Sequence, residues 1–272
     1  MYIVADIGGT KTRLAGTSDR EHLSEPVIFD TPQKYEDAVA MLTETVKKVA
    51  GGEPVDAFVA GLPGMFAKGN RIFLGAQYLP EWSNKNIADD LEAALATNVH
   101  FDNDAALVGL GEAVYGAGVG APIVVYITVS TGVNGVRVID GAIDRSTQGF
   151  EIGGQYLFVD DIPTSLENLI SGSAITKKYG KHPKEIEKDS PVWEELASLT
   201  AYGVHNTILH WSPDRVVLGG SMFNEIGISA LRVHTHVQEI MKKFPSIPDI
   251  VHSTLKDVGG LYGALVHLKQ IK

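Results

Sequence analysis

Residues 1–16 read Met1-Tyr2-Ile3-Val4-Ala5-Asp6-Ile7-Gly8-Gly9-Thr10-Lys11-Thr12-Arg13-Leu14-Ala15-Gly16. An apolar run, Tyr2 to Asp6, ends in an acid. Gly8-Gly9 follows, and a glycine pair after a strand marks a tight turn. Arg13 to Gly16 then reads as the returning strand of a hairpin. Glycines at such a turn let backbone N–H groups approach an anion, and the Thr10 and Thr12 hydroxyls add donors. Asp6, at the end of the first strand, is placed to hold a magnesium ion through water. The turn is not a P-loop, because Walker A needs glycine directly before the lysine and here Thr10 precedes Lys11. The alternative reading is an ordinary hairpin turn.

Working outward, Tyr35, Ala38, Leu42, Val46 and Val49 fall at helical spacing. Val55 to Ala60 is an apolar strand ended by Gly61-Leu62-Pro63-Gly64. Helices are expected over 87–96 and 105–115, with a short strand at 99–101 between them. The opening pattern then returns in outline. Ile123 to Val129 is an apolar strand, Ser130-Thr131-Gly132 turns the chain, and Gly135 to Ile139 runs back. Helices over 166–178, 192–211, 228–243 and 259–269, a strand over 215–218 capped by Gly219-Gly220-Ser221, and a polar loop over 180–190 complete the reading. Alternating strands and helices make this an α/β chain. At about 150 residues per domain, 272 residues allow one large or two small domains. The repeated hairpin favours two, a smaller lobe over 1–115 joined by the last helix (254–272), and a larger lobe over 116–253.

Four further stretches could carry chemistry. Ser130 to Gly135 is a second hydroxyl–glycine turn between strands, or merely a turn. Phe101-Asp102-Asn103-Asp104-Ala105 places Asp104 where a strand gives way to a helix, the usual position of an α/β site and suited to a general base. Helix capping by Asn103 or Asp104 is the plainer explanation. Glu151, between glycines in Gly149-Phe150-Glu151-Ile152-Gly153, and Glu167 could bind sugar hydroxyls, although Glu167 also suits the first turn of a helix. Gly219-Gly220 could pack against a ribose or adenine, or simply be a flexible turn.

Composition excludes several classes. The net charge of −10 speaks against a nucleic-acid or anionic-membrane partner. With no cysteine, the chain has no disulfide, thiolate-zinc site or cysteine nucleophile. The nine histidines show no metal-ligand spacing, since His234 and His236 face apart on a helix. The N-terminus lacks the features of a signal peptide, so the expectation is a cytoplasmic protein.

Taken in order, these stretches resemble the ROK family of sugar kinases and related regulators over nearly the whole chain. DIGGTKTRLA is similar to the family's first phosphate loop, GLPG and LPEW to its sugar-domain loops, and FDNDAALVGLGEAVYGAG to the segment carrying its catalytic aspartate. VSTGVNG is similar to the second phosphate loop, GFEIGG and SLENLISGSA to the sugar-binding glutamate segments, and VVLGGS and DVGGLYGA to the nucleotide-side strand and closing helix. The resemblance implies an actin-like ATPase (hexokinase-like, ribonuclease H-like) fold, two lobes around a cleft with the last helix crossing back. It implies transfer of phosphate from ATP, with Mg2+, to a hexose or hexosamine hydroxyl, usually the 6-OH. Asp104 would be the base. Gly64, Asn103, Glu151 and Glu167 would bind sugar. Asp6 would serve magnesium, and Gly8, Gly9, Thr10 and Lys11 the phosphates. Thr131 and Gly132 would grip the transferring end, with Gly219 and Gly220 near adenosine. A homodimer is the default assembly.

One departure stands out. Members of the family commonly follow the first glutamate with Ile-Gly-His and a zinc-binding cysteine cluster. Here Gly154 takes the histidine's position in Glu151-Ile152-Gly153-Gly154-Gln155, and no zinc site is expected. Gln155 is a candidate to replace the lost sugar hydrogen bond. The alternative to an active kinase is a catalytically weak sugar-binding or sensing protein without a DNA-binding domain.

Overall fold

The opening hairpin forms as β1 (Tyr2–Ile7) and β2 (Lys11–Thr17), paired antiparallel with Asp6 opposite Arg13. The structure, a computed structural model, describes residues 1–67, 69–76, 78–147, 149–223 and 227–271. A third strand, β3 (Val27–Asp30), extends the hairpin. α1 (Tyr35–Ala50) then buries the expected Tyr35, Ala38, Leu42 and Val46. Its ends suit the helix dipole, with Glu36 and Asp37 in the first turn, Lys47 and Lys48 in the last, and Gly51 closing it at φ 61°. β4 (Ala57–Leu62) runs parallel to β1 and is buried at every residue, as a strand covered on both faces must be. A small hairpin, β5 (Met65–Ala67) with β6 (Ile72–Gly75), precedes α2 (Ile87–Leu95), and β7 (Asn98–Asn103) pairs parallel with β4. The sheet order is β3-β2-β1-β4-β7. α3 (Asp104–Tyr115) starts directly from the end of β7.

The second half repeats this topology. β8 (Ile123–Val129) and β9 (Val133–Ile139) form the hairpin, and β10 (Ala142–Ile143) extends it. A separate hairpin, β11 (Tyr156–Val159) with β12 (Ile162–Ser165), turns through Asp160-Asp161, both left-handed, as a two-residue primed turn requires. The helix expected over 166–178 is two helices, α4 (Leu166–Ile170) and α5 (Gly172–Tyr179). Ser171 separates them because its extended backbone ends α4 while its hydroxyl accepts from Ala174 N at 3.1 Å and caps α5. α6 (Val192–Trp211), β13 (Arg215–Gly219), α7 (Ala230–Ile240) and β14 (Asp249–His252) follow, and the sheet order is β10-β9-β8-β13-β14.

The last helix, α8 (Gly259–Gln270), lies against β1 and β4. The chain thus divides into one unit of residues 1–111 with 257–272 and another of residues 112–256, where the sequence suggested breaks after 115 and 253. Gly111 packs on α8, whereas the neighbouring Glu112, fully buried, accepts from Ala117 N (2.8 Å), Thr254 N (2.9 Å) and Leu255 N (2.8 Å) of the second unit. Among the described residues no helix is long and apolar enough to cross a membrane.

α3 and α8 touch backbone to backbone. A Cβ at Gly263 would stand 1.7 Å from Leu107 O, and one at Gly111 2.4 Å from Gly259 O. Gly263→Ala should therefore lower stability by about 3 kcal/mol, the upper end of the overpacking range, because the clash is with backbone that cannot rotate away. Denaturant unfolding followed by circular dichroism checks this, and an unshifted midpoint would contradict it.

Candidate active site

In the first unit, the turn after β1 is held by its carbonyls. Thr31 N donates to Thr10 O (2.9 Å), the Thr31 hydroxyl to Gly8 O (2.7 Å) and Gln33 Nε2 to Gly9 O (3.0 Å). The Thr12 and Thr31 hydroxyls share a buried bond of 2.9 Å, and Trp82 Nε1 donates to Gln33 O at 3.1 Å. With its carbonyls tied from this side, the Gly8-Gly9-Thr10 turn has one fixed orientation. Lys11 stands apart from this arrangement, ion-paired to Asp30 at the exposed end of β3. Thr31 and Gln33 carry no sequence signal, because their partners around the turn lie 19 to 24 residues away.

Asn103, the last residue of β7, has both ends of its amide engaged. Its Oδ1 accepts from Ala106 N at 3.1 Å and caps α3, and its Nδ2 donates to Gly64 O at 3.3 Å. The capping reading thus holds for Asn103, and the same bonds join it to Gly64. Asp104 occupies the first turn of α3 with Oδ1 accepting from Ala105 N at 2.8 Å. Burial pushes its carboxyl up to about 6, against the lowering effect of that backbone bond. Asp6 lies against Gly260 at the start of α8. Its carboxyl is raised to about 7, first by burial, then by the Asp104 charge. Arg13, paired with Asp257 at 3.2 Å, opposes the shift, and Asp257 adds to it. Asp102, on β7, is also raised by burial, with His267 of α8 opposing.

In the second unit, Ser130-Thr131-Gly132 is fixed by the start of α5. Ser130 O accepts from Gly172 N (2.7 Å) and Thr131 O from Ser173 N (3.2 Å). Ser130 and Ser221 share a hydroxyl bond of 3.1 Å, which sets the turn beside Gly219-Gly220. Gly220 has φ 91°, and a Cβ there would stand 2.3 Å from Val129 O. A cavity of about 490 Å3 opens here, lined by Ser130, Thr131, Thr176, Lys177, Lys184 and Met222 among others.

Glu151 and Glu167 come together in this unit. Burial raises the Glu151 carboxyl, and the Glu167 charge adds to the shift. Glu167 sits in the first turn of α4, yet its Oε2 accepts from Val133 N at 2.8 Å and lies over Gly132, where any side chain would collide with it. One carboxylate is therefore bonded directly to the second glycine turn. Gln155 does not stand free for a ligand, since its amide is engaged with Ile152, Gly203 and Asn206.

Among the described residues, no group of three or more His, Asp or Glu is arranged to hold a metal ion. The crowding of Asp6 by Asp104 and Asp257, against the single cation Arg13, nevertheless suits an added cation, which would relieve that repulsion. The sign of the stability effect follows. An acid raised from 3.8 to about 7 on folding contributes stability that is full below about pH 4 and lost as pH rises through 7. Asp6→Asn should therefore melt at a higher temperature than the wild type at pH 8 in magnesium-free buffer, with the gap narrowing markedly by pH 5. A constant gap in melting temperature across that range would refute the assignment.

Residues 2–271 match the ROK family. The chain belongs to that family. It is 26% identical over 310 residues to a glucokinase of Thermotoga maritima, covering 98% of this chain and 97% of the relative. It is 27% identical over 306 residues to an N-acetyl-D-glucosamine kinase of Citrobacter koseri, covering 98% and 99%. A crystal structure of a ROK family glucokinase from Streptomyces griseus, in complex with glucose and AMPPNP, superposes with a TM-score of 0.81 at 22% identity, covering 99% of both chains. The fold is the actin-like ATPase fold.

Proposed function

We propose that this chain is a sugar kinase that transfers the terminal phosphoryl group of ATP to a hexose or hexosamine hydroxyl, the 6-OH, with Asp104 as general base. The observation that carries the reading is the placement of Asp104. It stands at the carboxyl end of a parallel strand and the start of a helix, with its carboxyl raised to about 6. A base of that strength is ionised at neutral pH yet strong enough to take a proton as the hydroxyl attacks. The relatives named glucokinase and N-acetyl-D-glucosamine kinase support the same chemistry.

In this reading the sugar is held by Asn103 and Gly64, bonded to each other, and by Glu151 and Glu167. The Gly8-Gly9-Thr10 and Thr131-Gly132 turns bind phosphates through backbone N–H groups and hydroxyls. Gly219 and Gly220 adjoin the adenosine. Lys11, held by Asp30, contributes its positive charge at the edge of the first turn. Asp6 would hold magnesium, which when bound offsets charge on the transferring phosphoryl group. The protein's part is placement and electrostatics, since phosphoryl transfer needs little covalent work. The active form is a cytoplasmic homodimer.

A coupled ADP-release assay over a panel of hexoses and amino sugars, with ATP and magnesium, tests the reading. Turnover is expected on at least one sugar, and none on any would favour a sugar-binding protein instead. Asp104→Asn should abolish turnover while sugar and ATP affinities stay within about fivefold of wild type, because it removes the proton acceptor and little of the binding surface. Near-wild-type kcat in that variant would overturn the general-base role. The wild-type rate should rise with pH through about 6 as Asp104 ionises.

A further inference from the structure

Glu151 stands on backbone with little intrinsic stiffness. It precedes a single helical turn, residues 152–154, containing Gly153 and Gly154, and Glu151 itself is only partly buried. Ile152 is buried, but one apolar anchor fixes position better than direction. A further restraint comes from Gln155. Its Nε2 donates to Ile152 O (3.0 Å) and to Gly203 O of α6 (3.4 Å), and its Oε1 accepts from Asn206 Nδ2 (3.2 Å). Its backbone carbonyl accepts from Leu166 N at 2.8 Å, one residue before Glu167. Gly203 lets Leu166 seat against α6, since a Cβ there would be 2.4 Å from Leu166 Cδ2. One half-buried residue thus joins three parts of this unit, its side chain tying the turn bearing Glu151 to the long helix α6 and its backbone carbonyl holding the helix start bearing Glu167.

We propose that Gln155, braced by Asn206, is a positioning residue that sets the spacing of Glu151 and Glu167 for the acceptor sugar. The inference rests on the sugar-kinase reading above, and it assigns Gln155 no contact with the ligand. The amide is chemically specific for this position. It must donate toward two carbonyl oxygens while accepting from an amide, and a carboxylate of the same shape cannot donate to either carbonyl. Misplacing one of two cooperating carboxylates weakens the binding they share, while groups elsewhere keep their geometry.

The test compares Gln155→Ala, Gln155→Glu and Asn206→Ala with the wild type in the coupled assay. The two Gln155 variants should each raise the KM for sugar about tenfold, with kcat and the KM for ATP within about twofold. Failure of Gln155→Glu to rescue separates hydrogen-bond donation from simple filling of space. Asn206→Ala, which leaves both donations of Gln155 in place, should raise the sugar KM about threefold. It is the variant to read if the others do not fold. A sugar KM unchanged in all folded variants, or a rescue by Gln155→Glu, overturns the proposal. So does a loss of kcat and ATP affinity in parallel with sugar affinity. If the wild type transfers no phosphate to any sugar, the kinase reading fails by itself. The same comparison is then made on the calorimetric Kd for the sugar bound most tightly by the wild type, where an unchanged Kd rejects Gln155 as a positioning residue.

Discussion

The first unit depends on one close contact, the crossing of α3 and α8. Leu107 O meets Gly263, and Gly259 O meets Gly111, at distances only glycine permits. This contact joins the end of the chain to a helix that begins at Asp104. It sets the start of α8 against Asp6 and places Asp257 beside Arg13. Further along the same helix, His267 influences the Asp102 carboxyl. Every charged group that tunes Asp6 is thus within the first unit, and one of them, Asp257, comes from more than 240 residues away in the chain.

That arrangement gathers like charges. Burial raises the carboxyls of Asp6 and Asp104, and at Asp6 the charges of Asp104 and Asp257 add to it, with Arg13 as a partial offset. Such a cluster stores destabilisation that a cation or a transferred proton can release, and perturbed carboxylates of this kind concentrate where chemistry takes place. In the second unit, burial raises the Glu151 carboxyl and the Glu167 charge adds to the shift, while Glu167 accepts a backbone bond from Val133. That bond also ties Glu167 directly to the second glycine turn.

Much of this was legible in advance. The apolar spacing of α1 and the runs of β1, β4 and β8 are local patterns, and local patterns survive folding. The repeated hairpin was visible as strand, hydroxyl–glycine turn and strand, and both halves do adopt one sheet topology. The β11–β12 hairpin and the break at Ser171 were not visible. The first alternates weakly, with Tyr156 and Phe158 left exposed, and the second depends on a hydroxyl that can end one helix and cap the next. The pairing of Lys11 with Asp30 arises across strands and has no signature along the chain.

The sequence by itself determined the α/β class, the twofold repetition and the order of the glycine turns and acids, because each rests on residues within a few positions of one another. Only the tertiary structure decided what holds those groups. Thr31 and Gln33 orient the first turn, α8 crowds Asp6, and Glu167 bonds Val133. Gln155, offered by the sequence as a sugar ligand, is engaged instead with α6. A hydrogen bond or a shifted carboxyl is set by distances in space and by exclusion of water, and neither is fixed by separation along the chain.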